Sequence, residues 1–71
     1  MTKEFNVIIE QDDEGYFVAS VPELTGCHTQ ARSLDDLMVR IQEAIEVCLE
    51  VKGEDVISNK FIGVQRIAVE V

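Results

Sequence analysis

Residues 33–53 constrain this chain more tightly than any other stretch. From Leu34 to Lys52, the apolar residues Leu34, Leu37, Ile41, Ala44, Ile45 and Cys48 recur at helical spacing. Such a stripe is the signature of an amphipathic helix whose apolar side must be buried. Met38, Leu49 and Val51 widen it, and Asp35, Asp36, Gln42, Glu43, Glu46 and Glu50 lie opposite. Ser33 is a good N-cap, and Asp36, at the third helical position, places a negative charge where the helix dipole favours one. The pair is a shortened capping box, since the full motif carries Glu or Gln there. Gly53, just past Lys52, suits the left-handed position that ends a helix. The spacing therefore predicts a helix over 34–52, about 28 Å long at about 1.5 Å per residue.

The flanking segments read as strands. Residues 4–10 (EFNVIIE) put Phe5, Val7 and Ile9 on one face and Asn6, Ile8 and Glu10 on the other. Residues 16–21 (YFVASV) are rich in aromatic and β-branched residues, and Asp12, Asp13, Glu14 and Gly15 form a polar turn between the two runs. This is a hairpin pattern. Pro22 ends the second strand because it has no N–H for a ladder, and residues 22–26 form a loop. Residues 27–32 (CHTQAR) are a short third strand, 54–60 a linker, and 61–71 (FIGVQRIAVEV) a last strand that is apolar on both faces. The expected fold class is α+β in the order β-β-β-α-β: one mostly antiparallel sheet with a single helix packed on one face. The whole chain, 1–71, is read as one domain with no C-terminal DNA-binding module.

A domain of 71 residues buries only about 60% of its unfolded surface, and such small domains often gain stability from oligomers. A homo-oligomer is expected for that reason, and because the second sheet face, with Ile8, Tyr16 or Phe17, and Ile62 or Val64, is partly apolar. Val39 and Val47 fall on the otherwise polar side of the helix, two turns apart. They join Ile62 and Val64 as a candidate oligomer or partner surface.

Charge narrows the function. Fourteen acidic residues face six basic ones, a formal net charge of -8. Phosphate contacts need Lys and Arg, so direct nucleic-acid binding is not expected, whereas a basic protein partner would be steered in. No apolar segment follows Met1 and no run is long enough to span a bilayer, so a cytoplasmic location without membrane attachment is expected, with Cys27 and Cys48 as reduced thiols.

The search for catalytic chemistry returns little. His28 is adjacent to Cys27, but neighbours in a strand point to opposite faces and do not form a nucleophile–base pair. Cys48 lies on the apolar side of the helix. Three Cys and His residues fall short of the usual four zinc ligands, and Asp12–Asp13–Glu14 lacks the ligand spacing of a calcium loop. No phosphate loop, nucleophile elbow or dinucleotide motif occurs. No cofactor or metal is expected, and binding is favoured over catalysis.

These residues together resemble a known family. Gly15-Tyr16-Phe17-Val18-Ala19, Pro22-Glu23-Leu24, Gly26-Cys27-His28-Thr29, Ser33–Asp36 and Glu43-Ala44-Ile45 are similar to the pattern of the HicB-type antitoxin domain. The resemblance is strong over residues 15–50, and the flanking strands fit the family order. It departs at Ala31, where the family commonly has Gly, and at Arg32, where it commonly has an acidic residue. The resemblance implies a cytoplasmic antitoxin with a reduced ribonuclease-H-like fold that lacks catalytic carboxylates. It also implies a partner: a small basic ribonuclease toxin, HicA-like, whose active site the antitoxin masks. Longer members append a DNA-binding module. On this reading Asp12, Asp13, Glu14 and Glu23 are expected electrostatic contacts, with Tyr16 and His28 as anchors. Two alternatives stay open: an orphan homo-oligomeric binding domain without a toxin, and a remnant metal-dependent nuclease.

Overall fold

The turn at residues 12–15 sets the register of the sheet. Asp12 Oδ1 accepts the N–H groups of Glu14 and Tyr16, both at 2.9 Å, and the Asp12 N–H donates to the Tyr16 carbonyl at 2.9 Å. Gly15 completes the turn with φ +90°, a conformation that disfavours any residue with a Cβ. The turn joins β1 (Ile8–Gln11) to β2 (Phe17–Ser20), which in turn pairs with β3 (His28–Ala31). In this computed structural model, which describes residues 2–52 and 59–71, both pairings are antiparallel and the strand order is β1-β2-β3. The helix α1 follows over Leu34–Lys52. The described residues therefore have the expected α+β layout, one open antiparallel sheet and a single helix.

The register assigns residues to faces. Ile9, Ala19 and Thr29 are aligned across the sheet, as are Gln11, Phe17 and Ala31. This face meets the helix. Its core is Ala19, Val21, Leu24, Cys27 and Ala31 packed against Leu37 and Ile41, with Phe5, Val7, Phe17, Ala44, Ile45, Cys48 and Leu49 around it. Leu24 and Leu37 are the two largest side chains with almost no exposure, 1% and 0%. Leu24 reaches the core from a folded loop. Its N–H donates to the Val21 carbonyl at 3.1 Å, the Cys27 N–H donates to the Leu24 carbonyl at 3.0 Å, and the Val21 N–H donates to the Cys27 carbonyl at 3.0 Å. Gly26, at φ +82°, lets this loop turn back into β3.

The helix begins as its sequence requires. Ser33 Oγ accepts the Asp36 N–H at 3.1 Å and the Ser33 carbonyl accepts the Leu37 N–H at 3.0 Å, a cap contributing about 1 kcal/mol. The stripe is narrower than the sequence pattern, however: Leu34, Met38 and Val51 are exposed. The helix lies across β3 and β2 and does not reach β1, so residues at the margins of the stripe find no sheet beneath them.

Two strand expectations change. The first strand begins at Ile8 rather than residue 4. Extending the register places Asn6 opposite Pro22, which has no N–H to donate, and the Glu23 carboxylate binds Asn6 there instead. The last strand expected over 61–71 is not formed: residues 59–71 pair with no strand among the described residues, and all from Ile62 onward are exposed. Alternating apolar residues define what a strand would bury, but a strand also needs a ladder partner, and this segment pairs with neither edge of the sheet. The helix stop expected at Gly53 and the linker residues 54–58 lie outside the described residues.

Candidate binding face

The sheet face turned away from the helix is formed by the alternate residues of each strand. Ile8, Ser20 and His28 are aligned across it, as are Glu10, Val18 and Gln30. Tyr16 and Arg32 continue the same alternation by one step. Arg32 Nη2 donates to the Tyr16 hydroxyl at 2.8 Å, and the guanidinium carbon sits 4.6 Å from the ring centroid. This stacked pair contributes about 0.5–1 kcal/mol at an exposed site, and holds the half-buried ring in one orientation. From Tyr16 to Ser20 the strip runs about 13 Å at the usual strand rise. Its apolar members are Ile8, Val18 and the Tyr16 ring, set among Glu10, Ser20, His28, Gln30 and Arg32.

The residues expected to bind a partner divide into three groups. Tyr16 and His28 share this face, at opposite ends. His28 Nδ1 lies 3.1 Å from the Gly26 carbonyl. A carbonyl only accepts, so Nδ1 is the donor in this hydrogen bond and Nε2 is left for another partner. Asp13 and Glu14 stand exposed at the hairpin tip beside Tyr16, while Asp12 spends its carboxylate on the turn. Glu23 is also engaged internally. Its Oε2 accepts the Asn6 N–H at 3.1 Å and Asn6 Nδ2 at 3.0 Å, and Oε1 lies 3.3 Å from the same backbone nitrogen. Val39 and Val47 are exposed on α1, where Val47 borders a depression shared with His28 and Thr29 of β3, and Ile62 and Val64 are exposed on the C-terminal segment. The sequence reading did not single out Glu10, Val18, Gln30 or Arg32. Counting alternate positions outward from Tyr16 and His28 would have found them.

The Glu23–Asn6 tie has a pH signature. Burial alone raises the Glu23 carboxyl, but hydrogen bonds from the Asn6 backbone, the Asn6 side chain and the Glu23 backbone outweigh it and hold the pKa below its ordinary value. A carboxylate depressed in the folded state stabilises above its unfolded pKa, and that contribution is lost as pH falls through the folded one. The Asn6 amide proton shift should therefore follow a titration below the ordinary range of about 4.3, and Glu23→Ala should abolish it. An Asn6 amide indifferent to both would show that the tie is absent in solution.

Among the described residues, no group of three or more His, Cys, Asp or Glu side chains is placed to hold a metal ion. No helix among them is long and apolar enough to cross a membrane. Ala31 lies within β3, opposite Phe17 and nearly fully buried, and no residue other than glycine has positive φ among the described residues. Glycine is therefore not required at that position.

Residues 5–68 match the model of a family described as the HicB-like antitoxin of bacterial toxin–antitoxin systems. The chain belongs to this family. A UPF0150 protein of Archaeoglobus fulgidus is 55% identical over 67 residues, covering 94% of this chain and 96% of the relative. One from Synechocystis is 42% identical with the same coverage, and one from Thermotoga maritima is 35% identical over 69 residues, covering 96% and 92%. The HicB-like match takes in β1 to α1 and continues into the C-terminal segment as far as Ala68. Membership supports an antitoxin-type role, and with it a toxin as the general kind of partner.

Proposed function

We propose that this HicB-like protein acts in the cytoplasm by binding a small basic ribonuclease toxin of the HicA-like kind and masking its active site, with no catalysis of its own. The observation that carries the reading is the helix-free sheet face, where Tyr16 is fixed under Arg32 next to an exposed acidic tip. A rigid aromatic anchor in a half-apolar strip gives contact area at small entropic cost. Asp13 and Glu14, backed by a net charge of -8, speed encounter with a basic surface. Asp12 supports them by holding the turn, Glu23 fixes the N-terminal segment at the Ile8 end, and His28 offers Nε2 at the far end. The protein works as a homo-oligomer, a reading supported by the apolar residues that one chain leaves exposed beyond Phe61.

The electrostatic part is tested by stopped-flow association with a HicA-like toxin. Asp13→Lys with Glu14→Lys should slow association about tenfold at low salt, and raising the salt should slow the unaltered protein in the same way. Association unaffected by both would overturn it.

A further inference from the structure

Two apolar surfaces are left uncovered in one copy of this chain, and they match. The first is the C-terminal segment. Asn59 Nδ2 donates to the Pro22 carbonyl at 3.2 Å, and Phe61 is half-buried near Phe5, Asn6 and Glu23. Beyond Phe61 the chain leaves the body: Ile62 is 84% exposed, Val64 82%, Ile67 76% and Val69 75%. The radius of gyration is 13.7 Å, against about 11 Å for a compact chain of this length. Over residues 66–71 the arm alternates as a half-buried strand does, with Ile67, Val69 and Val71 on one side and Arg66, Ala68 and Glu70 on the other.

The second surface is a groove of about 930 Å³ lined by Phe5, Ile41, Ile45 and Leu49 together with the polar side chains of Lys3, Gln42, Glu46 and Glu50. It lies between the helix and the segment that leads into β1, since Lys3 and Phe5 line it opposite residues of α1, and the helix itself bears on β3 and β2 only. Among the described residues no strand pairs with the outer edge of β1. At the opposite edge, Arg40 Nη1 donates to the Gln30 carbonyl of β3 at 2.9 Å, so a helix side chain already occupies that acceptor.

We propose that residues 62–71 of a second copy lie along the outer edge of β1 as an added strand, with Ile67, Val69 and Val71 filling the groove over Phe5, Ile45 and Leu49. An arm and a groove on the same chain satisfy each other reciprocally in a two-fold pair. Ten extended residues span about 33 Å, more than the roughly 13 Å of the four residues of β1. The family match reaches Ala68, so most of the arm belongs to the domain. The proposal rests on the homo-oligomeric reading above and is independent of the toxin.

Light scattering on the full chain tests it. The unaltered protein should have twice the 8.0 kDa chain mass. Ile67→Lys with Val69→Lys should halve that mass and leave the far-ultraviolet circular dichroism of β1 to α1 intact, since neither side chain packs within its own copy. In a mixture of isotope-labelled and unlabelled protein, contacts should join Val69 methyl protons of one copy to the Phe5 ring of the other. An unaltered protein of single-chain mass overturns both the arm exchange and the homo-oligomer. A dimer untouched by the double substitution overturns the arm alone. Contacts from Val69 to the Tyr16–His28 face in place of Phe5 overturn the groove.

Discussion

Leu37→Ala should lower the unfolding free energy by about 2–5 kcal/mol. Leu37 has no exposure and lies where the first turns of α1 meet the sheet, in one cluster with Ala19, Val21, Leu24, Cys27, Ala31 and Ile41. Truncation there removes the transfer free energy of the lost carbons and leaves a cavity that small neighbours such as Ala19 and Ala31 fill poorly. A chain of this length has about 4–10 kcal/mol of stability in all, at about 0.05–0.15 kcal/mol per residue. The loss is therefore a large share of the total. Leu34→Ala, three residues earlier on the same nominal stripe, should shift stability by no more than about 0.5 kcal/mol, because Leu34 is exposed. Urea denaturation at one fixed protein concentration separates the two, the concentration being held because association itself stabilises. Equal losses would mean that the helix is rotated from the position described.

The largest effect on partner binding should come from Tyr16→Ala, with a loss of about 2 kcal/mol or more, roughly 30-fold in affinity. The ring is half-buried and oriented by Arg32, so an incoming surface meets a preformed anchor rather than a mobile side chain. Tyr16→Phe keeps the ring and removes only the hydroxyl that accepts from Arg32. It should cost far less, and the contrast separates ring contact from hydrogen bonding. Calorimetric titration against a HicA-like toxin measures both. Equal affinity for the alanine and unaltered proteins would remove Tyr16, and with it the helix-free face, from the proposed interface.

The helix was legible in the sequence from Leu34 to Lys52 because its signals are local: a capping serine and apolar spacing within a few residues. The hairpin was legible for the same reason, since Asp12 and Gly15 carry the turn in their own chemistry. What the sequence concealed was pairing at a distance. Nothing in EFNVIIE announces that Pro22 will sit opposite Asn6 and end the ladder there. Nothing in FIGVQRIAVEV shows that its apolar alternation leaves it unpaired with its own sheet. The candidate face was partly legible in the same way. Tyr16 and His28 stood out by residue type, and the register put them on one face. The carboxylates of Asp12 and Glu23 looked like Asp13 and Glu14 in the sequence, and only their hydrogen-bond partners distinguish the turn-builder and the N-terminal tie from the exposed tip.

The Arg40 guanidinium on the Gln30 carbonyl bears on more than the helix–sheet contact. A sheet with two open edges invites end-to-end growth, one molecule templating the next into a fibre. Here one edge carries a positive charge whose hydrogen bond a neighbouring strand would have to displace. Direct strand addition at β3 is thereby disfavoured, and β1 is left as the edge more open to an added strand.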